Sequence, residues 1–151
     1  PALSPFNAWL LSKSLETLSI RMEKHCENAL KLANVLLHHP KVENIKYPGL
    51  MSHPQYEIAK RQMKGGGGII TFEVKGGYKN ATKFIDALKM FSLTANLGDT
   101  RTIITHPASS THSKLSEEER KAVGITQNLV RVSAGIENII DIIADIEQAL
   151  N

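Results

Sequence analysis

Apolar residues in the first forty positions recur every three or four: Leu11, Leu15, Leu18, Met22, Cys26, Ala29, Ala33 and Leu36. This spacing predicts one long amphipathic helix, with Lys13, Glu16, Glu23, Lys24, Glu27 and Lys31 mostly off the stripe. Ser4-Pro5 offers an N-cap and a first turn, and His39-Pro40 a stop. A helix this long needs more to pack against than a small domain provides. Residues 1–40 are therefore read as a linking helix laid along a larger body, and residues 41–151 as a small α/β domain.

Beyond residue 40 the pattern shortens and alternates. Residues 42–47 read as a strand stopped by Pro48-Gly49, 54–63 as a helix, 69–74 as a strand before the Gly76-Gly77 turn, and 81–90 as a helix. Residues 92–95, 102–105 and 129–133 are further strand candidates. Ser116 with Glu119 forms a capping-box pattern opening a short helix over 116–123. The last helix places Ile139, Ile143, Ile146 and Leu150 on one face. The expected fold class is α/β, a small and mostly antiparallel sheet covered by helices, without internal repeats.

Composition adds limits. The chain has 151 residues, 42% of them hydrophobic and 22% charged, enough to bury a core. No apolar run approaches the ~20 residues of a helical membrane span, so no membrane association is expected. The chain begins with Pro1, and no secretory signal pattern is visible; with a lone cysteine, Cys26, this points to a reducing cytoplasm. The net charge of +3 is an excess of +4 over residues 1–64 and of −1 over 65–151, with acids interspersed. Without a basic cluster, and with 5% aromatics, nucleic acid is not an expected partner.

Several groups invite chemistry. Gly65-Gly66-Gly67-Gly68 precedes a strand and lacks a Gly-Lys-Ser/Thr sequence, so a flexible strand entry is the better reading than a phosphate loop. The six histidines, His25, His38, His39, His53, His106 and His112, lack the spacing of a metal site, and no metal is expected. Cys26 sits on the apolar stripe and reads as packing. Arg131, within Leu129-Val130-Arg131-Val132-Ser133, has two readings: an outward-facing strand arginine, or a guanidinium held rigidly to grip a carboxylate or phosphate. The polar, small-residue segments 96–100 and 106–112 are either turns or site-forming loops.

The ordered series Leu3-Ser4-Pro5-Phe6-Asn7-Ala8-Trp9-Leu10, Leu15-Glu16-Thr17-Leu18, Arg21-Met22, His39-Pro40, Tyr47-Pro48-Gly49-Leu50, His53-Pro54 and Ala59-Lys60-Arg61-Gln62-Met63 is continued by a second group. This comprises Asn96-Leu97-Gly98-Asp99-Thr100, His106-Pro107-Ala108, Thr111-His112, Gly124-Ile125 and Leu129-Val130-Arg131-Val132-Ser133-Ala134-Gly135-Ile136-Glu137. Together they resemble the C-terminal portion of the Cys/Met-metabolism family of pyridoxal-phosphate enzymes, which includes homoserine-ester sulfhydrylases, cystathionine γ-synthase, cystathionine β- and γ-lyases and methionine γ-lyase. The resemblance implies the C-terminal domain of a fold-type I, aminotransferase-like enzyme. In that family the Schiff-base lysine, the phosphate-binding residues and the ring-stacking residues lie in a preceding domain. The chain is therefore expected to contain no catalytic residue, to hold no pyridoxal 5'-phosphate alone and to be inactive alone. Its expected partners are that N-terminal domain, an amino-acid substrate and further copies in a homo-oligomer, a tetramer in the complete enzyme.

Residue by residue, the resemblance assigns Arg131 to the substrate α-carboxylate and Asn96 to a position beside the Schiff base and that carboxylate. It places Thr111 on a loop bordering the substrate cleft. Ala95 stands where cystathionine-handling enzymes often carry Glu, so it is expected to bear on specificity. The chain looks most like the O-acetyl- or O-succinylhomoserine sulfhydrylases, whose reaction replaces the γ-ester of an acylated homoserine with sulfide. A cystathionine β-lyase, cystathionine γ-synthase, γ-lyase or methionine γ-lyase is the enzymatic alternative, and a non-enzymatic remnant or assembly module the alternative of another class.

Overall fold

Ser4 and Pro5 open a helix as expected, but the expected single long helix is two. In the computed structural model, which describes residues 2–151, α1 spans Pro5–Leu15 and α2 spans Leu18–Leu37. The break has a local cause. The Arg21 guanidinium bonds the Ser14 carbonyl at 2.6 Å and the Thr17 hydroxyl at 3.2 Å, taking an acceptor that a continuous helix would use. The Ser14 hydroxyl also bonds back to Leu10 O at 2.8 Å, a contact that bends helices. The predicted stripe is buried only in its second half. Ala29, Ala33 and Leu36 join the core and Cys26 is half-buried, while Leu11, Leu15, Leu18 and Met22 are exposed. The sheet reaches only the C-terminal half of α2.

The remaining elements follow the alternating pattern: β1 (Val42–Lys46), α3 (Tyr56–Gln62), β2 (Ile69–Val74), α4 (Tyr78–Ala87), β3 (Ser92–Leu93), β4 (Ile103–Thr105), α5 (Glu117–Ala122), β5 (Leu129–Ser133) and α6 (Ile139–Leu150), with a 3-10 turn over Pro107–Ser109. The Ser116–Glu119 capping box is formed. Helix α4 is shifted from the predicted 81–90. Gly77, at φ 77°, caps it early, and the Asp145 carboxylate takes the amides of Lys89 and Met90 at 2.9–3.1 Å, ending it early. The same carboxylate changes the buried face of α6. Ile142, Asp145, Ile146 and Leu150 are buried there, whereas the predicted Ile139 and Ile143 are only partly covered.

The five strands run in the order β1-β2-β5-β4-β3, antiparallel except for the β3–β4 pair, so β5 is central. Register puts Ile70, Val132 and Ile104 in one row and Phe72 and Val130 in the next. Both rows meet Leu32 and Leu36 of α2, Phe84 of α4 and Ile142 and Ile146 of α6 in one core. Because side chains alternate along a strand, the opposite face receives Thr71, Arg131 and Thr105 in a single row, beside Ile69, Ser133 and Ile103. Among the described residues, no helix is long and apolar enough to cross a membrane.

Phe72 is fully buried and meets Phe84 edge-on at 6.0 Å. Phe72→Ala should therefore cost about 3–5 kcal/mol in denaturant unfolding, against ~1 kcal/mol for Ser116→Ala at the α5 cap. Equal losses would show that the core is not organised around the β2–β5 rows.

Candidate functional site

Strand β5, at the centre of the sheet, is hydrogen-bonded on both sides, to β2 and to β4, so its backbone is firmly held. Arg131 leaves it on the face away from the core helices, flanked by Thr71 and Thr105, and is half-buried. Its Nη2 donates to two main-chain carbonyls of the β3–β4 connection, Ala95 O and Asn96 O, each at 3.1 Å. Among the described residues, no carboxylate pairs with it, and Nε and Nη1 donate to no protein acceptor. A half-buried guanidinium held by neutral carbonyls, with donors to spare, is a ready acceptor of an anion.

The structure brings Ala95 and Asn96 to Arg131, but through their carbonyls. The Asn96 side chain is exposed and accepts the Leu97 N–H at 2.9 Å. Ala95 also lines a cleft of about 490 Å³ with Tyr78, Ile85, Leu93, Thr105 and His106; Arg131 does not line it. Thr111 is exposed and bonds His112 Nδ1 at 2.8 Å, with no hydrogen bond to Arg131, Ala95 or Asn96.

Other groups in the frame were not singled out from the sequence. Ser133, two residues after Arg131 and on the same face, accepts the Gly98 N–H at 3.0 Å. Glu137 accepts the Thr102 N–H at 2.6 Å and the Thr102 hydroxyl at 2.8 Å; that hydroxyl accepts the Gly135 N–H at 2.9 Å. From the core side, Asn28 donates to the carbonyls of Gly135 and Glu137, and His25 Nδ1 donates to Ala134 O at 2.6 Å. The only sequence signal for this network was the polar Ser133-Ala134-Gly135-Ile136-Glu137 tail of a hydrophobic strand. At the loop's outer end the Arg101 guanidinium, bonded to Asp99 at 3.1–3.3 Å, holds the Asp99 carboxyl down at about 2, so the loop carries a formal ion pair at neutral pH.

His25 and His106 are buried and spent on structure, His106 between the Ser109 hydroxyl and Gln127 O. Among the described residues, no three His, Cys, Asp or Glu side chains converge as metal ligands. The row and loop around Arg131 supply hydroxyls, carbonyls and one guanidinium, with neither a lysine amine nor an aromatic ring among Thr71, Thr105, Ser133, Ala95 and Asn96. This donor set fits a carboxylate and does not fit a Schiff-base cofactor.

The model of the Cys/Met metabolism PLP-dependent enzyme family matches residues 1–151. The chain is 52% identical to an L-methionine gamma-lyase of Fusobacterium nucleatum subsp. polymorphum over 98% of its own length and 38% of that protein. It is 51% identical to an O-succinylhomoserine sulfhydrylase of Pseudomonas aeruginosa over 99% of its length and 37% of that protein. A Campylobacter jejuni crystal structure, described as an O-acetylhomoserine (thiol)-lyase with a pyridoxyl-lysine phosphate group, superposes with a TM-score of 0.93 at 46% identity, covering 99% of this chain and 36% of that one. The chain thus spans little more than a third of the relatives it matches. Across its whole length, it belongs to the Cys/Met-metabolism family of pyridoxal-phosphate-dependent enzymes.

Proposed function

We propose that this chain is the substrate-clamping portion of a pyridoxal-phosphate enzyme acting on a sulfur- or ester-bearing amino acid, with Arg131 binding the α-carboxylate. The observation that carries this reading is the guanidinium on the central strand, fixed by two carbonyls and, among the described residues, lacking an acid partner. When bound in the complete polypeptide, the cofactor supplies the electron sink. The work left to Arg131 is orientation: a carboxylate held by charge-assisted bonds from the guanidinium donors that the two carbonyls leave free has less freedom to rotate about the bonds at the α-carbon. Asn96 and Thr111 are proposed to border the bound substrate. Ala95 offers no charge for a distal amino group, which favours γ-replacement on an O-acylated homoserine over chemistry on cystathionine. A methionine γ-lyase is the second reading, favoured by relatives of that name at 52–53% identity. Products formed from methionine, and from acylated homoserine with sulfide, separate the two.

In the complete polypeptide, Arg131→Lys keeps the charge but loses the planar array of guanidinium donors. A charge-assisted bond is worth about 1.5–3 kcal/mol, so kcat/KM should fall by about ten- to a hundredfold. Arg131→Ala should fall further, with cofactor content unchanged. Wild-type kinetics in both variants would return Arg131 to a solvent-facing strand residue.

The cofactor is proposed to be anchored by residues outside this chain. Mixing the chain with pyridoxal phosphate, reducing with borohydride and mapping the adducts should give scattered substoichiometric labelling. One lysine labelled stoichiometrically would overturn this part of the reading.

Helix α1 buries no residue, yet carries Phe6, Trp9, Leu10, Leu11 and Leu15 around its circumference. So many exposed large apolar side chains on one helix mark a face that is covered, and the rest of the polypeptide and its homo-oligomer are proposed to cover it. Hydrogen exchange of the complete protein should be as slow over residues 5–15 as over the buried half of α2. Fast exchange there would show that nothing covers α1.

A further inference from the structure

The connection from Ala95 to Thr102 is fastened to β5 and its exit at successive points. Ala95 O and Asn96 O hold Arg131, Gly98 N–H is held by Ser133, Thr100 O accepts from Ile136 N at 2.8 Å, and Thr102 is held by Glu137. Between the Asn96 and Thr100 anchors the remaining bonds are local ones, Leu97 N–H to Asn96 Oδ1 and Arg101 N–H to Asp99 Oδ1. Among the described residues, the Ser133 hydroxyl is thus the one side-chain tie from the sheet to the middle of the loop. It is 3% exposed, and it holds Gly98 at φ 77°, a left-handed conformation that glycine adopts readily.

We propose that Ser133 is a positioning residue for the carboxylate clamp. By holding Gly98 it sets where the Ala95 and Asn96 carbonyls lie, and those carbonyls set the plane of the Arg131 guanidinium. This rests on the reading of Arg131 as the carboxylate ligand. Loosening the loop frees the two carbonyls to move, and the guanidinium loses a fixed orientation while keeping its charge. The defect is then specific to the carboxylate, unlike a general loss of packing.

The test uses the complete polypeptide and two competitive ligands, L-norleucine and its carboxylate-free counterpart L-norleucinamide. Ser133→Ala should weaken norleucine about three- to tenfold, the range of one lost hydrogen bond, and leave norleucinamide within twofold. It should also speed hydrogen exchange over residues 95–99. Ser133→Cys, which keeps the volume but is a poor acceptor, should behave alike and covers the case in which the alanine variant fails to fold. On an Arg131→Ala background Ser133→Ala should add no further loss for norleucine. Equal weakening of both ligands, or losses that add across the double variant, overturns the proposal. If Arg131→Ala does not reduce the preference for norleucine over its amide, the clamp reading fails and the positioning role with it. If Arg131→Ala does reduce it and neither Ser133 variant does, only the positioning role falls.

Discussion

The candidate site depends on one constraint: β5 is paired on both edges, and its side chains alternate between a sealed face and an open one. Val130 and Val132 are fully buried against the helices, which fixes the strand's height and register. Slipping the register by one residue would drive Arg131 into the apolar core, at a cost of several kcal/mol for an unpaired buried charge. The packing that stabilises the domain therefore also aims the guanidinium. A side chain on a doubly bonded strand is held more tightly than one on a loop, which suits a group meant to orient a reactant.

The exit of β5 extends this rigidity to the connection that holds Arg131. Gly135 has no room for a side chain: a Cβ there would stand 2.5 Å from both Thr100 O and Thr102 N. This close approach lets Thr102 and Glu137 bridge the two segments, and Asn28 reaches the same turn from helix α2. The core helix, the central strand and the connection form one hydrogen-bonded unit. Among the described residues Asn28 Oδ1 is buried without a donor, while its amide nitrogen donates to the Gly135 and Glu137 carbonyls. The turn is held at the expense of an unsatisfied acceptor.

Much of this was legible in the sequence wherever the determinants were local. Ser4-Pro5, the Ser116–Glu119 capping box and the period-two pattern of 69–74 and 129–133 each specify their own element. What the pattern did not carry was set by side-chain contacts that periodicity does not register, one near in sequence and another far. Arg21 reaching back to Ser14 splits the first helix, although the apolar stripe runs straight through the break. Asp145 ends α4 from 55 or more residues away and turns the buried face of α6 toward itself. At the site, Arg131 stood out as a charge inside an apolar strand. Ser133 and Glu137 did not, because a serine and a glutamate at the end of a strand look like ordinary solvent-facing residues until the 95–102 connection lies against them.

The division of labour across the family's members follows from which atoms this chain can touch. Sulfhydrylases and γ-lyases differ in the fate of the substrate's γ-substituent, yet both act on an amino acid with the same α-carboxylate. A part of the molecule that grips only the carboxylate is under the same geometric demand in either enzyme. The proposed clamping role agrees with nearly equal identity, 52% and 51%, to a methionine γ-lyase and a succinylhomoserine sulfhydrylase. Discrimination has to come from groups that reach the γ-position. Under the proposed function, the feature of this chain assigned to that task is Ala95, which lines the 490 Å³ cleft and whose own carbonyl holds Arg131. On the same proposal, clamping and selectivity would share one peptide segment: its carbonyls hold the guanidinium proposed to meet what the substrates share, and its side chains lie toward what they do not.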